Sequence, residues 1–276
     1  MSLLAVASIG AMTAAAFFDL DRTLISGASV FPFAVEAWRA SLVTNREIAR
    51  WAATALMFLL AGDKGNDVSD NARAEFLGKV AGVSVDQLDA VAREMLPNLV
   101  NDIRPESKKL LQMHHDAGRE TWIVSASPQS IVEPLAIALG MDGAIGTRGR
   151  IENGHYTAEL EGPFVYGDGK AEAIRMLADE RGYDLERSYA YSDSISDMPM
   201  LGVVGHPVAV NPDGELERVA YERGWPIVIF ARRTKRAIAL GSATTAAAGG
   251  MIGAYLLGRT HGQRRGSPRR RFPILG

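Results

Sequence analysis

Six side chains carry the chemistry that this sequence can do. Asp19 and Asp21 stand in Asp19-Leu20-Asp21-Arg22-Thr23, and Ser125 follows the apolar run Trp122-Ile123-Val124. Lys170 closes Gly167-Asp168-Gly169-Lys170, and Asp193 and Asp197 bound Asp193-Ser194-Ile195-Ser196-Asp197. Three or four carboxylates converging on one point repel each other unless a hard cation lies between them. Oxygen donors without His or Cys suit Mg2+. A lysine and a serine hydroxyl beside that cation add donors fit for phosphate oxygens. Asp19 and Asp21 alternate around Leu20, so at a strand end one is placed to act as a nucleophile and the other to handle a proton. Each feature alone has an ordinary explanation: a turn, a helix cap or a surface charge. All four in this order point to a phosphoryl site.

The elements that must position these residues can be read from periodicity. Residues 13–18 form an apolar strand buried on both faces, of the parallel-sheet kind. Further strands are expected at Thr121–Val124, Ser188–Tyr191, Pro207–Val210 and Pro226–Phe230. Helices are expected at Pro105–Ala117, Gln129–Leu139, Lys170–Arg181 and Met198–Val203, with an Asn153-Gly154 hairpin before Lys170. Alternating strands and helices imply an α/β fold with a parallel sheet covered on both faces, and such sheets bind ligands beyond their strand ends. Between the first and second motifs the pattern is helical. Val35, Trp38 and Leu42, then Ile48, Trp51, Ala55 and Leu59, recur at spacings of three and four. Thr44 and Ser84 look like helix starts, and Pro97 and Pro105 bracket the exit of the last helix. The expected division is a core of 12–26 with 104–230, a helical cap of 27–103 and a tail of 231–276. His114 and His115 fall on the polar side of their helix and are expected to be solvated. His155 sits at the hairpin tip, His206 in a loop, and Asn211-Pro212-Asp213 in a turn.

Charge separates the tail from the rest. Residues 1–230 carry 20 Lys+Arg against 32 Asp+Glu, while 231–276 carry the other 10 basic groups and no acid. With no cysteine, disulfides, Cys-ligated zinc, iron–sulfur clusters and thiol nucleophiles are excluded. The apolar start lacks the basic region and cleavage site of a secretory signal, and Met12 is an alternative start to Met1. Residues 237–258 are uncharged and flanked by arginines, long enough to cross a hydrocarbon core but rich in Ala, Gly, Ser and Thr. A membrane-attached helix held to anionic lipid is the leading expectation, with a cytoplasmic catalytic domain. A basic arm on nucleic acid is the rival.

The ordered set Asp19-x-Asp21-x-Thr23, Ser125, Lys170 and Asp193-x-x-x-Asp197 resembles the haloacid dehalogenase superfamily of phosphohydrolases. The helical insertion and the hairpin before Lys170 resemble its subfamily IB, the phosphoserine-phosphatase-like branch. The resemblance implies a Rossmann-like core with a helical cap, and a Mg2+-dependent phosphomonoester hydrolase. It implies Asp19 as nucleophile forming an aspartyl-phosphate, Asp21 as acid and base, and Ser125 and Lys170 on the phosphoryl oxygens. Mg2+ would be held by Asp19, the Asp21 carbonyl and Asp193, with Asp197 and Thr23 in support. Two departures bear on the substrate. Arg22 replaces the serine usual in phosphoserine phosphatases, and Leu24–Pro32 contains no acid to hold an ammonium group, Glu36 being the nearest. A small phosphorylated metabolite is therefore expected, or a lysophospholipid phosphate entering past the apolar run Trp51–Ala61. The competing class is a non-enzymatic scaffold on a phosphatase fold, with the tail as effector.

Overall fold

A computed structural model describes residues 13–40, 42, 77–78 and 80–230, which fall in one compact unit. In chain order its strands are β1 Ala15–Asp19, β2 Glu120–Pro128, β3 Gly143–Thr147, β4 Gly149–Glu152, β5 His155–Leu160, β6 Tyr189–Ser192, β7 His206–Val210 and β8 Ile227–Val228. Its helices are α1 Val30–Arg39, α2 Val85–Asp102, α3 Pro105–Asp116, α4 Gln129–Ala138, α5 Asp168–Arg181, α6 Met198–Leu201 and α7 Gly214–Arg223. Six strands form one parallel sheet in the order β3-β2-β1-β6-β7-β8, and β4 and β5 pair as an antiparallel hairpin.

The composition of β1 explains its central place. Alternation sends Ala16 and Phe18 to one face and Ala15 and Phe17 to the other, and all four are at most 1% exposed. On the Phe18 side lie Leu111 of α3, Ile131 and Leu135 of α4, and Val91 and Met95 of α2. On the Phe17 side lie Ile174 of α5, Leu201 of α6, and Leu216 and Ala220 of α7. The chain order reverses direction between β1 and β6, so the crevice of this sheet opens at the ends of these two strands.

The structure departs from the sequence reading at several points. β2 runs past Val124 to Pro128, with a shift in register, because β3 gives it a partner there. β3 and α7 were not anticipated: Gly-Ala-Ile-Gly-Thr has little strand propensity, and Asp213, read as a turn residue, caps α7 by accepting from the Leu216 amide. β8 has only two residues. Pro97 lies inside α2 and Pro105 starts α3, so the two prolines do bracket the exit of α2 at Asp102. His114 is not solvated but fully buried: Arg119 Nε donates to its Nδ1 at 2.7 Å, so its Nε2–H faces the Tyr191 hydroxyl at 2.7 Å. Phe18 and Tyr191 stack at 4.5 Å with His114 edge-on to both, which couples β1 to β6.

Of the cap, α1 and α2 are described, and they pack on each other. Ser84 and Gln87 start α2 with a reciprocal capping box. The two passages between cap and core lie side by side, with Ile25 bridged to Ile103, Ser26 N donating to Asp102 O at 3.0 Å and Arg104 N to Leu24 O at 3.0 Å. The hairpin is also tied to the cap segment, through Gly82 N to Tyr156 O at 2.8 Å and Val85 N to Gly154 O at 3.0 Å. Among the described residues no helix is long and apolar enough to cross a membrane. The expected helix start at Thr44, the run Trp51–Ala61 and the segment 237–258 lie outside the described residues.

Candidate active site

The crevice gathers its polar groups from four segments. Asp19 ends β1, and the next residues leave the strand at once: Leu20–Leu24 form a single wide helical turn with Asp21 extended and Arg22 at φ 60. Ser125 lies one residue beyond Val124, the residue paired with Asp19 across β1 and β2. Gly167 precedes α5 with φ 52, and Lys170 in the first turn reaches Asp19 at the end of the central strand β1. Asp193 directly follows β6, and Asp197 closes the short helical turn after it.

Lys170 organises the centre. Its Nζ donates to Asp19 Oδ1 at 2.6 Å and to Asp197 Oδ2 at 2.8 Å, and all three residues are buried. Ser192 Oγ donates to the same Asp197 oxygen at 2.6 Å. Burial disfavours the lysine charge, but the two carboxylates outweigh it and hold the ammonium above its ordinary range. Two anions nevertheless share one cation. Asp19 is pushed well above the usual carboxylate range by burial, with Lys170 pulling it down and Asp197, Asp193 and Asp21 pushing it further up.

The other residues sit nearby with different partners. Asp21 Oδ1 accepts from the Ser29 amide at 2.7 Å. Burial raises the Asp21 pKa, and the Ser29 amide and hydroxyl oppose the shift. Ser29 also meets Ser127, Oγ to Oγ at 3.2 Å, and Ser125 Oγ accepts from the Ser127 amide at 3.2 Å. Asp193 is pushed up to about 6 by burial, with Arg22 opposing and Asp197 adding to the shift. Thr23 is buried; its carbonyl accepts from Ser107 Oγ at 3.0 Å while its own Oγ1 has no hydrogen bond. Ser192, Ser29 and Ser127 were missed in the sequence. Ser192 was legible as the residue before Asp193, whereas the two others carry no local signal.

Asp21, Asp193 and Asp197 all act on Asp19, so the four carboxylates gather at one end of the sheet, with different partners. Among the described residues no three His, Asp or Glu side chains form a metal-holding group. Asp197 is turned to Lys170 and Ser192, and Asp21 to Ser29. Asp19 and Asp193 are left, and they do fit a hard cation. Asp193 Oδ2 is buried and has no hydrogen bond; its charged neighbour is Arg22 Nη2, an ion pair at 2.6 Å. A buried carboxylate oxygen without a hydrogen bond, beside a second carboxylate disfavoured by burial, has donor chemistry that fits a hard cation such as Mg2+.

Comparison with known proteins fits this geometry. The family model for haloacid dehalogenase-like hydrolases matches residues 16–202. The chain is 43% identical over 220 residues to an "inhibition of morphological differentiation protein" of Streptomyces azureus, spanning 79% of each chain. It is 38% identical to phosphoserine phosphatase SerB1 of Mycobacterium tuberculosis, over 88% of this chain and 80% of that one. It is also 34% identical to a histidinol-phosphatase of Neisseria meningitidis, over 78% and 98%. A Bordetella pertussis protein of unknown function superposes with a TM-score of 0.68 at 28% identity, covering 79% of this chain and 99% of its own. With its parallel six-stranded core and relatives that are phosphatases by name, the chain belongs to the haloacid dehalogenase-like hydrolases and is a phosphatase of the phosphoserine-phosphatase-like branch.

Proposed function

We propose that this chain hydrolyses a small phosphomonoester with Mg2+, through phosphorylation of Asp19. The observation that carries the reading is the buried Lys170 ammonium, 2.6 Å from Asp19 and 2.8 Å from Asp197 at the ends of β1 and β6. Lys170 orients the Asp19 carboxylate and offers its remaining N–H to a phosphoryl oxygen. The Ser125 hydroxyl binds a second one. Asp19 attacks phosphorus as the bond to the leaving oxygen breaks, and Asp21 gives that oxygen a proton. Asp21, now ionised, takes a proton from the water that attacks the aspartyl-phosphate, which returns the Asp19 carboxylate and releases inorganic phosphate. Burial favours the protonated Asp21 needed for the first step, while the Ser29 amide steadies its carboxylate for the second. Asp19, the Asp21 carbonyl and Asp193 would hold Mg2+, which neutralises charge on the phosphoryl group when bound. Asp197 and Ser192 keep Lys170 in place.

The relatives named for phosphoserine and for histidinol phosphate support a small phosphorylated metabolite as substrate. Glu36, the nearest acid after the first motif, is buried and paired with Arg39 at 2.7 Å, which weighs against an ammonium-binding role. Asp19→Asn should lower Mg2+-dependent phosphate release from p-nitrophenyl phosphate by about a thousandfold or more. Unchanged turnover would refute Asp19 as nucleophile.

A further inference from the structure

A cavity of about 390 Å3 opens beside Asp193, lined by Arg22, Arg104, Asn211, Pro212 and Asp213. Its lining carries two guanidinium groups against one carboxylate, Asp213, with Asp193 alongside Arg22. Both oxygens of Asp213 are engaged, Oδ1 by the Leu216 amide at 2.8 Å and Oδ2 by the Ile195 amide at 2.9 Å. The Arg104 side chain donates only from Nε, to the Ile25 carbonyl at 3.3 Å, among the described residues. Burial works against the Arg104 charge, with Glu106 and Asp193 opposing, so the guanidinium is partly desolvated without a bonded anion. Asn211 accepts from the Phe230 amide through Oδ1 at 2.9 Å, which leaves its Nδ2 hydrogens for other partners. Arg22 Nη2 lies 2.6 Å from Asp193 Oδ2, and its side chain is 47% exposed.

The backbone singles out the same place. Among the described residues three non-glycines have positive φ: Asn153 in the hairpin turn, Arg22 at 60 and Asn211 at 43. The last two both line the cavity. Such conformations are uncommon, and they concentrate where a side chain has to be aimed.

We propose that this cavity takes a second anionic group of the substrate, a carboxylate or a second phosphate, with Arg22, Arg104 and Asn211 Nδ2 as its donors. The enzyme then selects phosphomonoesters with an acidic tail over those with a neutral one. This rests on the phosphatase reading above and adds the substrate class to it. Two guanidinium forks suit planar or tetrahedral oxyanions, and a charge-assisted pair in a half-buried cleft discriminates more than one on open surface.

The test compares kcat/KM of the full chain with Mg2+ on two matched pairs: 3-phosphoglycerate against glycerol 3-phosphate, and fructose 1,6-bisphosphate against fructose 6-phosphate. At least one acidic member should be favoured about tenfold or more, the first pair reporting a carboxylate and the second a phosphate. Arg104→Gln should bring that ratio close to one, and Arg104→Lys should restore part of it. Equal kcat/KM within both pairs for the unmodified enzyme, or a ratio unchanged in Arg104→Gln, overturns the proposal; the first measurement needs no variant to fold. If p-nitrophenyl phosphate is turned over while neither pair discriminates, the anion site fails and the phosphatase reading stands. If no ester, p-nitrophenyl phosphate included, releases phosphate, the phosphatase reading fails and this proposal goes with it.

Discussion

Lys170 has one charge and two buried carboxylates to satisfy, so its removal is more severe than the loss of a surface lysine. Lys170→Met leaves Asp19 and Asp197 facing each other without a cation, and should destabilise the fold by about 3–5 kcal/mol. Adding Asp197→Asn to that variant should recover part of the loss, because it removes the second buried charge. Urea denaturation of the single and double variants measures both effects. If Lys170→Met is as stable as the parent, the triad is not held as described. His114 gives a pH prediction on the far side of the sheet. Burial and the nearby Arg119 lower its pKa to about 4, so it stays neutral in the folded state. Below its unfolded value of about 6.5 the unfolded chain takes up a proton that the folded chain refuses. Stability should fall between pH 6.5 and about 4, by about 3 kcal/mol at most, and level off below. His114→Gln should flatten that part of the profile, as read from denaturation midpoints at each pH.

At the scale of elements, the turns that enter the helices are as constrained as the side chains they present. A Cβ on Gly169 would lie 1.8 Å from the Phe164 carbonyl oxygen, a backbone atom that cannot step aside. Gly169→Ala should therefore displace the start of α5 and Lys170 with it. The expected cost is about 1–3 kcal/mol in stability, with a fall in kcat larger than any change in KM. Steady-state kinetics and a melting curve on one preparation separate the two effects. This constraint was invisible in the sequence, where Gly167-Asp168-Gly169-Lys170 reads as the opening of a helix without showing what Gly169 packs against. Strong local signals did read correctly. The apolar strand expected at 13–18 and found at Ala15–Asp19, the helix start at Ser84 and the Asn153-Gly154 turn depend on neighbours a few residues away. What failed was non-local: β3 is a strand only because β2 lies alongside it, and His114 is buried only because Tyr191 and Arg119 close over it. The same holds in the site, where Ser29 is recognisable only once α1 brings its amide to Asp21.

For the molecule as a whole, the site is a property of the assembled sheet. Asp19 and Asp193 lie at the ends of strands distant in sequence and adjacent in space, and a cation held by both, as proposed, would link them only in the folded state. Mg2+ at about a hundred times its Kd should raise folding stability by about 2.7 kcal/mol, visible as a higher Tm that a chelator reverses. In Asp193→Asn the shift should shrink or vanish; a full Mg2+ response in that variant would place the cation elsewhere. The order of the strands has a further consequence for how the protein is born. β1 is made first, yet one of its two neighbours is β6, and the Ala15 amide donates to a Ser188 hydroxyl 173 residues away. Until Ser192 has left the ribosome, one edge of a strand that is apolar from Ala15 to Phe18 stands open. The emerging chain spends most of its synthesis as a sticky, catalytically silent intermediate, and its dependence on chaperones should peak before β6 docks.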